Sequence, residues 1–179
     1  MRPVQDLHCI QRGTALVMTL IFLVLLTILG ITAINISALE EKMAGNSKDQ
    51  NLAFQAAETA LRAGETWVGS TTSATALDPD PANGIHAPAD PSLTPTVATP
   101  EVWESIAWTG AGPVQYKQYS GILPLGVSTN PKYIIEKLSS APASGGGTTI
   151  IVRITARGTG ASDSTVSMVQ STYAKTYPP

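Results

Sequence analysis

The stretch RGTALVMTLIFLVLLTILGITAI, residues 12–34, decides the architecture of this chain. After Arg12 no charged residue occurs before Glu40, and fourteen Leu, Ile, Val and Phe residues lie within residues 14–36. A helix of about 23 residues rises roughly 34 Å, which is enough to cross the hydrocarbon core of a bilayer. The sequence therefore predicts a transmembrane helix over about residues 14–36.

The charges on either side of the apolar run predict its orientation. Arg2 and Arg12 precede the run, whereas Glu40, Glu41 and Lys42 follow it. Because positively charged flanks stay in the cytoplasm, we expect the N-terminus inside and the residues after about 40 to be exported. The chain is then a single-pass membrane protein.

Two simpler interpretations of the apolar run are a cleaved secretory signal and a plain signal anchor. A secretory signal has an apolar region of about 7 to 15 residues that ends at a small-x-small site. This run is longer, and the nearest candidate sites, residues 31–33 and 36–38, begin with isoleucine. A plain anchor fits the hydropathy but does not explain the sequence that follows.

A helical pattern continues through about residues 39–68 without a proline. Arg62 is spaced to pair with Glu58 and with Glu65 on the helix surface. Gly69 and Ser70 then end the pattern. We therefore expect one helix over residues 14–69, apolar at first and amphipathic afterwards. The residues that recur at three- and four-residue steps on one face are mostly apolar or small, with two polar exceptions: Leu39, Met43, Asn46, Gln50, Ala53, Phe54, Ala57, Leu61, Gly64 and Val68.

The remaining sequence predicts a loop followed by a sheet. Residues 70–100 contain six prolines and are rich in Thr, Ser and Ala, which is typical of a long loop. A short helix is expected to start at Thr99-Pro100-Glu101. About four antiparallel strands should pack on the helix face over residues 53–68, which gives an α+β fold. The predicted strands are 114–119, 133–138, 148–155 and 164–174, with a glycine-rich hairpin connection at 156–163.

The composition excludes several kinds of function. With a net charge of −2 and a pI of about 5.6, the chain has no basic stripe for nucleic acid. Cys9 is the only cysteine and precedes the apolar run, so neither a disulfide framework nor a zinc cluster is expected in the exported part. His86 is the only histidine after the run and lies in the proline-rich loop, and no catalytic set stands out in the sequence. We expect neither an enzyme nor a cofactor.

The segment DPDPANG, Asp78 to Gly84, partly matches a calcium-binding loop. Asp78 and Asp80 occupy positions one and three of such a loop, but Ala82 stands at position five and no glutamate closes the site. We favour a solvated turn and keep Asp78 and Asp80 as weak metal-ligand candidates.

Two tryptophans, Trp103 and Trp108, follow the predicted loop and are candidates for a binding platform or for the core. Because only 6% of the residues are aromatic, we favour the core.

Three segments carry a family resemblance: residues 12–34, the stretch LEEKMAGNSKDQNLAFQAAETALRAGE (39–65), and RITARGTGASDSTVSMVQSTYAK (153–175). Together they resemble the PilX family of type IV pilus minor pilins, whereas residues 70–147 carry no resemblance. The resemblance implies a pilin-like fold, in which a long N-terminal helix packs against a C-terminal antiparallel β-sheet. It also implies four segments: a leader (1–13), the pilin helix (14–69), the loop (70–100) and a β-rich domain (101–179).

The resemblance further implies processing by a prepilin peptidase at the cytoplasmic face of the membrane. In such proteins the peptidase cuts after the leader glycine, here Gly13 next to Arg12. The new N-terminus, here Thr14, is then methylated. The cut precedes the apolar run, so the anchor remains.

The chain departs from the common pilin pattern at Met18. Most pilins carry a glutamate at the fifth mature position, which pairs with the N-terminal amine of the subunit ahead. Met18 occupies this position when Thr14 is counted as the first. Without a counter-charge to offer, such a subunit fits best at the pilus tip or in the initiation complex.

The implied function is that of a minor pilin that promotes pilus assembly, twitching motility and adhesion. The implied partners are the prepilin peptidase, other minor pilins, the major pilin and a large tip adhesin. Inner-membrane lipid surrounds the helix before assembly, and the assembled subunit lies outside the cell in the fibre. Two alternatives remain: a minor pseudopilin of a type II secretion system that lacks the same glutamate, and a single-pass anchored periplasmic binding protein.

Overall fold

The structure, a computed structural model, describes residues 11–87, 102–109, 115–122 and 126–179. The chain divides into two compact units, residues 1–46 and residues 47–179. The described part of the first unit is helical throughout, whereas the second combines the end of the same helix with a sheet.

The second unit has the α+β architecture that the sequence predicts, but its sheet is mixed rather than wholly antiparallel. The elements are α1 (Gln11–Ser70), two short 3-10 helices (Ala74–Leu77 and Pro81–Asn83), β1 (Ile85–His86), α2 (Val102–Ser105), β2 (Lys117–Gln118), β3 (Lys132–Pro142), β4 (Thr148–Thr159) and β5 (Val166–Tyr177). The strand order is β1-β3-β4-β5, and β2 also pairs with β3. β1 runs parallel to β3, whereas the other neighbouring strands are antiparallel. β1 comes from the predicted loop 70–100, in which two residues were too short a pattern to predict a strand.

α2 begins at Val102, directly after the predicted helix start, and residues 99–101 themselves lie outside the described residues. The prediction of a strand at 114–119 is confirmed only for Lys117 and Gln118. The three longer strands are confirmed, and each ends later than predicted. β5 also begins later, at Val166 instead of residue 164.

The connection between β4 and β5 is shorter than predicted. Residues 156–159 continue β4 and pair with β5, so that only residues 160–165 form the turn. Residues 154, 156 and 158 of β4 share one face with their β5 partners, and Ile154 and Ala156 are buried there. The small residues at this end of β4 reflect the closeness of α1 rather than a turn.

The core lies between α1 and the face of β3, β4 and β5 that it covers. Ala53, Ala56, Ala57 and Ala60 are completely buried on the helix. They face a mostly aliphatic surface of the sheet. The buried sheet residues of this cluster include Tyr133, Ile135, Ile150, Val152, Ile154 and Ala156.

Two glycines allow the close approach of α1 to the sheet. A Cβ on Gly158 would lie 2.3 Å from the backbone nitrogen of Ala57, and one on Gly64 would lie 2.8 Å from Cγ2 of Ile154. The predicted helix face is confirmed in its C-terminal part. Phe54 is the exception, because its side chain is 48% exposed. One residue beyond Ala53, it is turned by about 100° to the side of the helix.

The C-terminal end of α1 is held by β5. Nζ of Lys175 donates hydrogen bonds to the carbonyl oxygens of Val68 (3.0 Å), Gly69 (2.6 Å) and Thr71 (2.6 Å). These carbonyls belong to the last turn of the helix or follow it, where no intrahelical donor remains. A cation here also interacts favourably with the negative end of the helix dipole.

The other end of the packed part of α1 is held by Asp49. Its carboxylate accepts a hydrogen bond from the backbone N–H of Ala161 in the β4–β5 turn. The Thr165 hydroxyl, followed by the N–H groups of Ala161 and Ser162, lowers the pKa of Asp49 below its ordinary value of 3.8. The turn and the helix are therefore joined by a carboxylate that is most effective when ionised.

The opposite face of the sheet contains a buried ion pair. Glu136 of β3 is 1% exposed, and its Oε2 accepts hydrogen bonds from Nη2 (2.7 Å) and Nε (3.0 Å) of Arg153 on β4. The two residues are cross-strand partners. Of the two helix-surface pairs predicted for Arg62, the structure contains the one with Glu65, at 3.0 Å.

Candidate processing and assembly site

The N-terminal part of α1 exposes an apolar surface on every side. Every residue from 13 to 48 is exposed, including Leu16 (69%) and Ile34 (71%). By length and composition α1 can cross a membrane, and none of its most apolar window is buried. A lone helix with this surface requires lipid or other apolar helices around it.

The hydroxyl groups inside this apolar segment are satisfied within the helix. Thr19, Thr27 and Thr32 each donate a hydrogen bond to the carbonyl oxygen three or four residues earlier, at 2.7–2.9 Å. In hydrocarbon an unsatisfied hydroxyl is unfavourable, since no water is present to bond it. The segment is therefore suited to an environment without water.

The residues predicted for processing lie at the start of α1. The helix begins at Gln11, so that Gly13, Thr14 and Met18 occupy its first turns. A Cβ on Gly13 would meet no atom of the described residues within 4 Å, so no contact with them requires glycine there. Met18 is 60% exposed and lies one turn beyond Thr14 on the same face. Of Arg12 only the helical backbone is described.

The weak metal candidates Asp78 and Asp80 belong to a structured turn and have protein partners. Oδ1 of Asp78 lies 2.7 Å from Nζ of Lys137, and Oδ2 of Asp80 accepts a hydrogen bond from the side-chain amide of Asn83 at 2.6 Å. Gly84 closes the turn with a left-handed φ of 69°. Within the described residues, no three His, Cys, Asp or Glu side chains are grouped to hold a metal ion.

The two tryptophans after the loop are not core residues, so that prediction is wrong. Trp103 and Trp108 are only half-buried, whereas Ile106 between them is 7% exposed. The indole N–H of Trp108 donates to the carbonyl of Trp103 at 2.9 Å, and its ring stacks on Tyr116. The two residues are therefore linked to each other and to Tyr116, and neither is enclosed in the core.

A groove of about 780 Å³ lies between α1 and the segment that contains β2. Nζ of Lys117 lies 4.2 Å from the ring centroid of Trp67 beside it, and burial lowers the pKa of this lysine. Arg62 is the only charged residue among the described residues that line the groove, and no His, Asp or Glu is among them. These lining residues contain hydroxyl groups but no general base, so they do not form a catalytic set. Local sequence patterns did not indicate the groove, because its two walls are more than 45 residues apart.

His86, the only histidine after the apolar run, lies on β1 and is 7% exposed. Its Nε2 lies 2.8 Å from the carbonyl oxygen of Gln115, which gives the ring a structural hydrogen bond.

Two protein-family models match this chain. The model described as PilX N-terminal matches residues 12–62, and the model described as type IV pilus assembly protein PilX C-term matches residues 82–175. No curated protein and no solved structure matches the chain. The second match includes much of the middle of the chain, where the sequence showed no resemblance. The matches confirm the resemblance, and the chain belongs to the PilX family of type IV pilus assembly proteins.

Proposed function

We propose that this protein is a minor pilin that enters the type IV pilus at its tip or in its initiation complex. The exposed apolar part of α1 is the observation that carries the proposal. In the inner membrane this surface contacts lipid tails, and in a fibre it contacts the helices of other pilins. Since both environments are apolar, small residues and close packing decide the transfer from one to the other.

The proposed maturation is a cut between Gly13 and Thr14, followed by methylation of the new amine. Glycine at the cut leaves the scissile bond open to close approach by a peptidase backbone. The exposed surroundings of Gly13 support this assignment. The second unit then lies in the periplasm and, after assembly, outside the cell.

The proposed tip position rests on Met18. A carboxylate buried among apolar helices is favourable only with a partner charge, since an unpaired ion loses several kcal/mol of solvation. A subunit that carries methionine neither needs nor provides this pairing. It is therefore best placed where no subunit lies ahead, with other minor pilins and a large tip adhesin as its neighbours. Promotion of twitching and adhesion would follow from its effect on assembly.

Two other functions remain to be distinguished from this one. A minor pseudopilin of type II secretion would share the helix and the missing glutamate, and its gene would neighbour secretion genes rather than pilus genes. A membrane-anchored periplasmic binding protein would use the groove beside Trp67 but would not be processed.

N-terminal sequencing and intact-mass measurement of the protein from membranes test the proposal directly. We expect a chain that starts at methylated Thr14, and a chain that starts at Met1 would contradict it. A Gly13→Val variant should accumulate unprocessed, whereas the matched control Gly30→Val should be cut normally.

A deletion strain, scored for surface pili and twitching, tests the role in the pilus. We expect fewer pili, with recovery by the wild-type gene. Two results would contradict the tip position: enhanced assembly in a Met18→Glu variant, or an even distribution of the wild-type protein along the shaft.

A further inference from the structure

β5 forms one edge of the sheet along its whole length. It pairs with β4 at twelve consecutive positions, from Thr148↔Tyr177 to Thr159↔Val166, without a register shift. Among the residues that the structure describes, no strand pairs with its other side. A long, regular strand edge of this kind carries backbone groups ready to pair with another chain.

The direction of these backbone groups follows from the turn. The N–H of Gly160 donates to the carbonyl of Thr165 at 2.9 Å, which makes this a hydrogen-bonded pair. Hydrogen-bonded pairs alternate with non-hydrogen-bonded pairs along an antiparallel ladder. Counting in steps of two from this pair, the odd-numbered residues of β5 direct their backbone N–H and C=O groups toward β4. The even-numbered residues direct their N–H and C=O groups outward: Val166, Met168, Gln170, Thr172, Ala174 and Thr176.

The usual protections of an edge strand are missing from β5. It contains no proline and no bulge, and its single charged residue, Lys175, is bonded to the end of α1. The opposite edge is different. β3 has a bulge between Lys137 and Ser139 and is partly covered by β1 and β2, which have two residues each.

One side of α1 lies above this open edge. The Ser171 hydroxyl of β5 donates to Oε1 of Glu65 at 2.9 Å, which places that side of the helix over the strand. Helical spacing puts Phe54 and Glu58 on the same side. Phe54 is 48% exposed, and half-buried Glu58 forms no ion pair with a described residue.

We propose that the outer edge of β5 binds an extended segment of a different protein, which adds a strand to the sheet. Backbone hydrogen bonds to the even-numbered residues supply affinity, and alternate side chains of the added strand supply specificity. The face of the added strand that is turned toward α1 lies below Phe54 and Glu58. The bound segment therefore carries an apolar residue near Phe54 and a lysine or arginine near Glu58.

A second copy of this chain does not fit the edge. Antiparallel pairing of two β5 strands needs a twofold axis perpendicular to the sheet. The helices over residues 47–70 of the two copies would then run in opposite directions. The two copies would then leave for the membrane in opposite directions. This exclusion rests on the proposed function, since both copies must insert the same way. Head-to-tail pairing, in which β5 of one copy pairs with the opposite sheet edge of the next copy, also fails. The strands at that edge, β1 and β2, are only two residues long.

Site-specific photo-crosslinking in living piliated cells tests the inference. A photoreactive phenylalanine analogue replaces Thr172, which is exposed and directs its backbone outward. Adducts are mapped by mass spectrometry to the crosslinked peptide. The second variant is Ala174→Pro, which removes an outward N–H without removing a bond to β4. The matched control is Ala174→Val, which retains that N–H.

We expect an adduct with one segment of a different protein that contains a basic residue. Ala174→Pro should reduce it at least about tenfold, through a lost hydrogen bond and a clash, whereas Ala174→Val should keep it within about twofold. Glu58→Lys should also reduce it. Near-UV circular dichroism verifies that each variant is folded.

An adduct only with a second copy, no adduct, or one that survives Ala174→Pro would overturn the inference. The N-terminus of the same samples is sequenced in parallel. A chain that does not start at Thr14 contradicts the proposed function, whatever the crosslinks show.

Discussion

A Gly158→Ala substitution is expected to force α1 away from β4. The added Cβ would lie 2.3 Å from the backbone nitrogen of Ala57 and 2.4 Å from the carbonyl oxygen of Ala53, whereas ordinary contacts begin at 3.4 Å. The added Cβ would therefore lie about 1 Å too close to these two atoms. Both are backbone atoms, which cannot rotate aside as the end of a flexible side chain can.

The expected loss of stability is at the upper end of the range for overpacking. One extra methyl group in a filled core raises the folded state by about 1 to 3 kcal/mol. Here the helix must also lift from the sheet, which opens gaps below the fully buried Ala56 and Ala60. We therefore expect about 3 kcal/mol. For a unit of this size that lowers Tm by roughly 10 to 15 °C.

The assay is thermal unfolding of the full chain in detergent micelles, followed by near-UV circular dichroism. All three tryptophans, Trp67, Trp103 and Trp108, lie in the second unit and report its packing. The matched control is Gly45→Ala, at which a Cβ meets nothing within 4 Å. A Gly158→Ala protein that melts within about 2 °C of the wild type would refute the close contact of helix and sheet.

Three further predictions concern the polar contacts of the second unit. Lys175→Met removes the cation at the end of α1 and should lower the free energy of unfolding by about 1 to 2 kcal/mol in urea titrations; an unchanged midpoint would argue against the cap. Asp49→Asn should destabilise the protein at pH 7. Because the folded pKa of Asp49 is lowered, its contribution is full above its ordinary pKa and is lost as pH falls through the lowered value. The difference in Tm between wild type and variant should therefore shrink below about pH 4, and a constant difference would contradict the role of the charge. Arg153→Met leaves the Glu136 carboxylate buried and should lose about 3 kcal/mol, whereas the double variant with Glu136→Leu should regain part of it. Equal losses in the single and double variants would count against the pair.

The elements with a strong local period could be predicted from the sequence. β5 shows this well: its alternating sequence predicted a strand, and Val169 and Tyr173 on one of its faces both pack against the core. α1 was predicted for the same reason, because uncharged residues and small residues at helical spacing continue over many turns. Within residues 53–68 the predicted face failed only at Phe54, where the three-and-four-residue rule accepts two adjacent positions and packing selects one. Leu39 and Met43, on the same predicted face, are exposed.

The features that could not be predicted join residues far apart in sequence. Asp49 and Lys175 are ordinary surface residues in any local window, and only the fold brings them to the β4–β5 turn and to the end of α1. Gly158 was assigned to a turn because glycine in a strand has no local explanation. Glycine is required there because the backbone of α1, about 100 residues earlier in the chain, lies too close for a Cβ atom. β1 is parallel and two residues long, so no periodicity could reveal it.

These contacts bear on how a pulling force would act on a pilin of this kind. From Asp49 to its end, α1 is attached to the sheet at its start, along its middle and at its last turn. A load that enters near residue 47 therefore shears many contacts at once instead of peeling one end. Since the helix supplies Ala60, Leu61 and Val68 to the core, it cannot detach without exposing the interior of the unit. Extraction of the apolar segment from the membrane should accordingly move the second unit as a folded body. A pulling measurement on the full chain should show one cooperative rupture of this unit, and the rupture force should fall in the Gly158→Ala variant but not in Gly45→Ala.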